Sequence, residues 1–242
     1  KDKATLLAKI AQYYYFTEDD EQSLLSINKA YRLSPDLTSD TGISLLLTHA
    51  LLLTNQDAID EAKKRYLQAE KNAILTENKK RLAETYGYIA SFYSVLHNDV
   101  DALKYFHKSY MLLEQLNSEL EMMYLKSQMA SSYSNIHDYE KAINLGKEAL
   151  NYFMSRGLYF DALFAEHELA KIYLTLEQYH KAKRSFNNML DLSTNAGNDT
   201  TITLAYLGLA KVYSGLNQFK NARIHLQKFH KIKPTTISPY NE

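Results

Sequence analysis

Residues 128–149 read QMASSYSNIHDYEKAINLGKEA, and the landmark positions of that stretch recur every 40 residues along the chain. Ala130 has counterparts in Ala50, Ala90, Ala170 and Ala210. Three residues on, Tyr133 aligns with Leu53, Tyr93, Tyr173 and Tyr213; twelve on, Ala142 aligns with Ala62, Ala102, Ala182 and Ala222. Ala149 completes the set with Ala69, Ser109, Met189 and Phe229. The N-terminal segment follows the same grid one residue short, through Ala11, Tyr14, Ser23 and Ala30. A fixed period of this length marks stacked structural repeats rather than one closed core.

The columns have a packing meaning. Small residues at helix crossings let two backbones approach to the short end of the usual interaxial range. Phe106, Phe186 and Leu226, or Tyr66 in the second unit, are expected to fill the space beside them. Each unit carries two amphipathic segments with apolar residues at helical spacing. Asn98-Asp99, His137-Asp138, Glu177-Gln178 and Asn217-Gln218 mark the short polar turns between them.

Composition agrees with helices throughout. The 242 residues include 7 Gly and 3 Pro, and none of the prolines falls between Asp36 and Lys233, so β-turn chemistry is scarce. Cysteine is absent, which removes disulfides, thiolate metal sites and cysteine nucleophiles. Lys plus Arg equals Asp plus Glu at 28 each, so the chain lacks the basic excess of a dedicated nucleic-acid binder. The longest apolar stretch, Ile43 to Leu53, is broken by Ser44, Thr48 and His49 and is about half the ~20 residues of a spanning helix. It reads as a buried helix, and no membrane insertion is expected. The chain opens Lys-Asp-Lys without methionine, signal peptide or anchor, as a piece of something larger would.

Enzyme motifs are missing: there is no glycine-rich phosphate loop, no Gly-x-Ser-x-Gly and no His-Glu-x-x-His. His167-Glu168 is followed by Leu169, Ala170 and Lys171, so a second zinc ligand is lacking. His225 and His230 lie five apart on one helix, about 140° apart around its axis, a poor metal pair. No catalytic residue, metal or cofactor is expected. Asn198-Asp199-Thr200 has the form of a glycosylation acceptor, but its setting is that of a plain loop.

The pattern of small residue, aromatic three later, alanine at plus twelve and small residue at plus nineteen resembles the tetratricopeptide repeat. Tyr139, Tyr179 and Phe219 stand where that motif begins its second helix with an aromatic, and Pro35 matches its terminal proline. The resemblance spans about Lys1 to Lys233, with a 40-residue period in place of the usual 34 or so and therefore longer helices. It implies an all-α fold, a right-handed α-solenoid or superhelix of about six antiparallel helix pairs. The units would be residues 1–36, 37–77, 78–117, 118–157, 158–197 and 198–233, with 234–242 an irregular tail or linker. Long-helix arrays of this kind occur in bacterial peptide-sensing regulators and ahead of the catalytic GGDEF domain of bacterial diguanylate cyclases. The last unit, Ala222 through His230, is most similar to the latter.

In this family the first helix of each unit lines the concave wall. The resemblance then places Glu84, Gly87, Ser91 and Ser94 there in the third unit, and Tyr124, Ser127, Ser131, Ser134 and Asn135 in the fourth. Phe164, His167, Lys171 and Thr175 follow in the fifth, and Leu204, Leu207, Lys211 and Ser214 in the sixth. The expected protein- or peptide-binding set is Glu84, Tyr124, Ser127, Ser131, Asn135, Phe164, His167, Lys171 and Lys211. The middle of this wall is rich in serine, and Lys171, Lys211 and His167 face a single acid, Glu84. Packing against the next unit is the alternative role for the serines. The Lys and Asn pair with which chaperone-binding members clamp a terminal carboxylate is replaced here by Gly87, Ser127 and His167 and by Ser91, Ser131 and Lys171, so that partner is not implied.

The functional expectation is a protein- or peptide-binding module, the sensory or regulatory region of a larger bacterial signalling protein in cytoplasm or periplasm. The alternative is a constitutive scaffold or dimerisation module. A homodimer would form through the C-terminal end, where Phe219, Leu226 and Phe229 gather and two prolines in residues 234–239 stop any further helix.

Overall fold

The computed structural model describes residues 2–33 and 36–232. Among them are twelve α-helices. The first six are α1 (Asp2–Phe16), α2 (Asp20–Arg32), α3 (Asp40–Asn55), α4 (Ile59–Leu75), α5 (Lys79–Val95) and α6 (Asp99–Gln115). The others are α7 (Glu119–Asn135), α8 (Tyr139–Ser155), α9 (Tyr159–Thr175), α10 (Tyr179–Ala196), α11 (Asp199–Gly215) and α12 (Phe219–Lys231). The fold is an all-α helical repeat of the solenoid class. Tyr139, Tyr179 and Phe219 open α8, α10 and α12, as the motif requires. Pro35 and residues 233–242, with the expected tail, lie outside the described residues.

Most connectors solve the same problem in the same way. A helix leaves its last carbonyls without partners, and a left-handed residue lets the chain turn back to bond them. Such residues occur at Asp57, Glu77, His97, Asn117, His137, Gly157, Glu177, Gly197 and Asn217, a strict step of 20. In most of them the amide one residue later then donates to the carbonyl of the third-last helical residue. Asn98 bonds Tyr93 at 2.9 Å, Asp138 bonds Tyr133 at 2.9 Å, and Gln178 bonds Tyr173 at 2.8 Å. The tyrosine column therefore sits at the point where each first helix is closed off. The same turns start the next helix. Asn98, Asp138 and Asn198 accept from the amides of Asp101, Lys141 and Thr201 with their side chains. Asn198 is thus a helix cap, in keeping with the plain-loop reading.

The chain divides into two compact units, residues 1–122 and 123–242. In the first, consecutive helices pack on one another, and the first helices of successive pairs also touch, α1 on α3 and α3 on α5. In the second, α8 through α12 pack in sequence and α9 touches α11. The alanine columns lie at these crossings: Ala50, Ala62, Ala69, Ala90 and Ala102 in the first unit, and Ala130, Ala142, Ala149, Ala170 and Ala182 in the second, are fully buried. Buried Tyr66, Phe106 and Phe186 fill the adjoining space. At the corresponding place in α8 stands Gly146, and Leu169 from α9 comes within 3.1 Å of where its Cβ would be, so bulk is supplied from the opposite helix. Leu226 departs from the expectation. It is 40% exposed, because among the described residues no further helix follows to cover α12, whose one buried residue is Ala222.

The rings of the tyrosine column have lysine neighbours. Lys141 lies over the Tyr133 ring at 5.2 Å, Lys181 over Tyr173 at 5.5 Å and Lys183 over Tyr213 at 4.9 Å. In the first unit Lys63 lies over Tyr93 at 6.0 Å. An apolar ring body and an electron-rich face at the half-wet edge of a helix pair suit a lysine neighbour.

Candidate functional site

In the second unit α9 fixes the geometry. Ala162, Leu163, Ala165, Glu166, Glu168, Leu169, Ala170, Ile172 and Tyr173 are all buried, so the helix is enclosed on most of its circumference. What remains exposed is Tyr159 and Phe160 in the first turn and then, at helical spacing, Phe164, Lys171 and Thr175, with His167 half-buried between them. Phe164 is 49% exposed and Phe160 71%. On α7, Tyr124 is 37% exposed and its ring leans on Phe153 at 5.2 Å. On α11 the half-buried Leu204 and Leu207 lead to exposed Lys211 and Ser214.

The serines behave differently from a cavity lining. Ser127 is buried, and its Oγ has no hydrogen-bond partner among the described residues. Ser131 is half-buried, whereas Asn135 at the end of α7 is exposed. Ser127 thus belongs to the packing of α7 rather than to an open wall. Its place in the expected binding set rested on repeat phase, which cannot distinguish a small residue beside a ligand from one beside a helix.

The electrostatics also differ from the expected balance. Glu168, absent from the expected set, is buried and accepts from Lys171 Nζ at 3.1 Å, so Lys171 is paired within its own helix turn. Burial lowers the pKa of His167, Lys171 and Lys211 lower it further, and the nearby Glu168 carboxylate opposes them. His167 therefore stands on this face as a neutral ring, with Nδ1 3.8 Å from Glu168 Oε1. Lys211 has no ion-pair partner among the described residues. Glu84 belongs to the first unit, where it pairs with Arg81 at 2.8 Å. The acid that governs Lys171 was legible as an i−3 neighbour on the same helix. A second buried acid, Glu166, accepts from Asn188 at 2.9 Å, and burial raises its pKa.

His225 donates from Nδ1 to the Asn221 carbonyl at 2.9 Å and lies against Tyr213 and Tyr206, an ordinary surface setting. Among the described residues no group of three His, Asp or Glu side chains is placed to hold a metal ion. Nor is any helix there long and apolar enough to cross a membrane.

The repeated helix pairs with buried small-residue columns are similar in fold to tetratricopeptide repeat proteins. The tetratricopeptide repeat model matches residues 167–195 and 204–236. Among solved structures, the chain is similar to BtubC (BKLC) from P. vanneervenii, with 13% identity and a TM-score of 0.72 over 100% of this chain and 96% of that one. It is also similar to a signal transduction ATPase with numerous domains from Pyrococcus horikoshii that has a tetratricopeptide repeat sensor. There the identity is 16% and the TM-score 0.75, over 95% of this chain and 36% of that protein. A Rap protein complexed with competence and sporulation factor gives 17% identity and a TM-score of 0.64, over 96% of this chain and 64% of that one. No curated protein matches the sequence.

Proposed function

We propose that the second unit is a protein- or peptide-binding module whose contact face is the open stripe of α9 with the neighbouring positions of α7 and α11. The observation that carries this reading is Phe164, a large apolar side chain 49% exposed in the body of α9 between buried Leu163 and Ala165. Exposed aromatics are the side chains that most often anchor a partner. Tyr124 stands 40 residues earlier in the same repeat phase, and together they offer apolar area beside the polar groups of Asn135, His167, Lys171 and Lys211. The partner's apolar side chain meets Tyr124 and Phe164, and its carboxylate or carbonyl groups meet Lys211. Lys171, already held by Glu168, contributes less than its charge suggests.

In the larger setting, the module serves as the sensory or regulatory region of a bacterial signalling protein. The Pyrococcus protein with its repeat sensor and the Rap complex support that placement by analogy of fold. Phe164→Ala combined with Lys211→Glu, in the intact protein, tests it. Partner capture and signalling output should both fall, with helicity by circular dichroism unchanged. Unchanged capture and output would overturn the reading. A second reading, self-association through the C-terminal end, is favoured by α12, where Phe219 is 65% exposed and Ile224 and Leu226 are 40% exposed. Sedimentation velocity of the wild type against Phe219→Asp with Leu226→Asp tests it: a dimer that becomes a monomer supports that reading, and a wild-type monomer removes it.

A further inference from the structure

The first unit holds a cavity of about 320 Å³ between α1, α3 and α5. It lies at the lower end of the roughly 300–1,000 Å³ of small-molecule sites. One wall is apolar, formed by Leu47 and Leu51; Gln12 and Tyr88 add an amide and a phenol, and Arg81 and Glu84 supply the charges. Arg81 Nη1 donates to Glu84 at 2.8 Å. Its Nε is shut off from solvent and is ion-paired with Asp40 Oδ1 at 3.5 Å, so a ligand in the cavity meets Arg81 at its terminal nitrogens. A carboxylate is the group whose planar geometry fits the guanidinium fork. Glu84, whose side chain is 38% exposed, leaves an oxygen for a cation. Burial and the Glu84 charge raise the pKa of Tyr88, so its hydroxyl stays protonated as a donor.

The lining carries one positive and one negative group and sums to zero. That balance disfavours a phosphate, whose negative charges beside Glu84 and Asp40 are offset by no cation of its own, and a divalent cation, which Arg81 repels. A small molecule bearing both charges and an apolar side chain matches Arg81, Glu84 and the wall of Leu47 and Leu51 at once, beside the hydroxyls of Ser44 and Thr48. We propose that this pocket binds a free α-amino acid with an aliphatic side chain, its carboxylate on Arg81, its ammonium on Glu84 and its side chain against Leu47 and Leu51. The inference stands apart from the reading of the second unit, which can fail without affecting it.

Calorimetric titration of the intact chain with L-leucine, N-acetyl-L-leucine, L-leucinamide and L-lysine tests the proposal. L-Leucine should bind, and each blocked analogue, having lost one charge, should bind at least about tenfold more weakly. L-Lysine should bind no better than the blocked forms. Glu84→Gln, an isosteric change at a partly exposed position, should weaken leucine by a similar factor and weaken leucinamide too, while leaving N-acetyl-leucine, which has no ammonium, unchanged. Arg81→Met should abolish leucine binding, with its melting curve recorded beside it as a check on folding. Absence of leucine binding by the wild type would overturn the proposal. So would N-acetyl-leucine binding as tightly as leucine, which would make the site one for the carboxyl end of a peptide, and so would leucine binding unaffected by Glu84→Gln.

Discussion

Glu177 is a β-unbranched acid held at φ 54°, where the Cβ of an L-residue crowds the backbone. Its counterpart Gly157, at φ 70°, meets nothing within 4 Å of where a Cβ would be, so any cost of a side chain there is purely one of backbone conformation. The pair gives opposed expectations. Glu177→Gly should stabilise the second unit by about 0.5–1 kcal/mol, and Gly157→Ala should destabilise it by about 1 kcal/mol, read from urea midpoints. None of these turn residues could be picked out by type, since Asp, Glu, His, Asn and Gly all serve; the 20-residue phase lies in the backbone. His49 gives a second residue-scale expectation. Burial first, and then the Arg65 charge, lower its pKa to about 4 against Glu61, with Tyr31 Oη 3.3 Å from its Nδ1. The unfolded chain takes up a proton near pH 6.5 and the folded chain only near 4, so stability is complete above 6.5 and is lost as the pH falls toward 4. The denaturation midpoint of His49→Gln should therefore fall less between pH 7 and pH 5 than that of the wild type.

At the scale of the element, α9 shows what repeat phase can and cannot deliver. The columns placed Ala170 correctly at a helix crossing, where it is fully buried. Ala170→Leu should accordingly force α9 from its neighbours at a cost of about 1–3 kcal/mol, and a thermal melt identical to wild type would contradict the packing described. The same columns gave the exposed positions of Phe164, Lys171 and Lys211. They failed for Ser127, because a buried serine and a ligand-lining serine look alike in sequence, and for Glu168, because a buried carboxylate is rare enough that the residue reads as surface. Glu84 was legible as an inner-face acid, but its role beside Arg81 depends on α1 and α3 closing a cavity around it, a contact between segments tens of residues apart.

For the molecule as a whole, the 20-residue phase runs unbroken from Asp57 to Asn217 and so through both compact units. The 40-residue columns of small and aromatic residues follow the same regularity, which is why the all-α repeat fold was legible in the sequence. The formal charge of zero sets the character of recognition too. With Lys171 paired and His167 neutral, the proposed binding face presents little net field, and capture of a partner should weaken less than about tenfold between 0.05 and 0.5 M salt. A steep salt dependence would move attention to a charged surface elsewhere. The most direct measurement is site-specific photo-crosslinking in the intact protein, with a benzophenone side chain placed at Phe164 and, as a control, at exposed Lys147 on α8. The account predicts a protein adduct from position 164 and none from position 147; equal adducts at both, or an adduct from 147 alone, would contradict it.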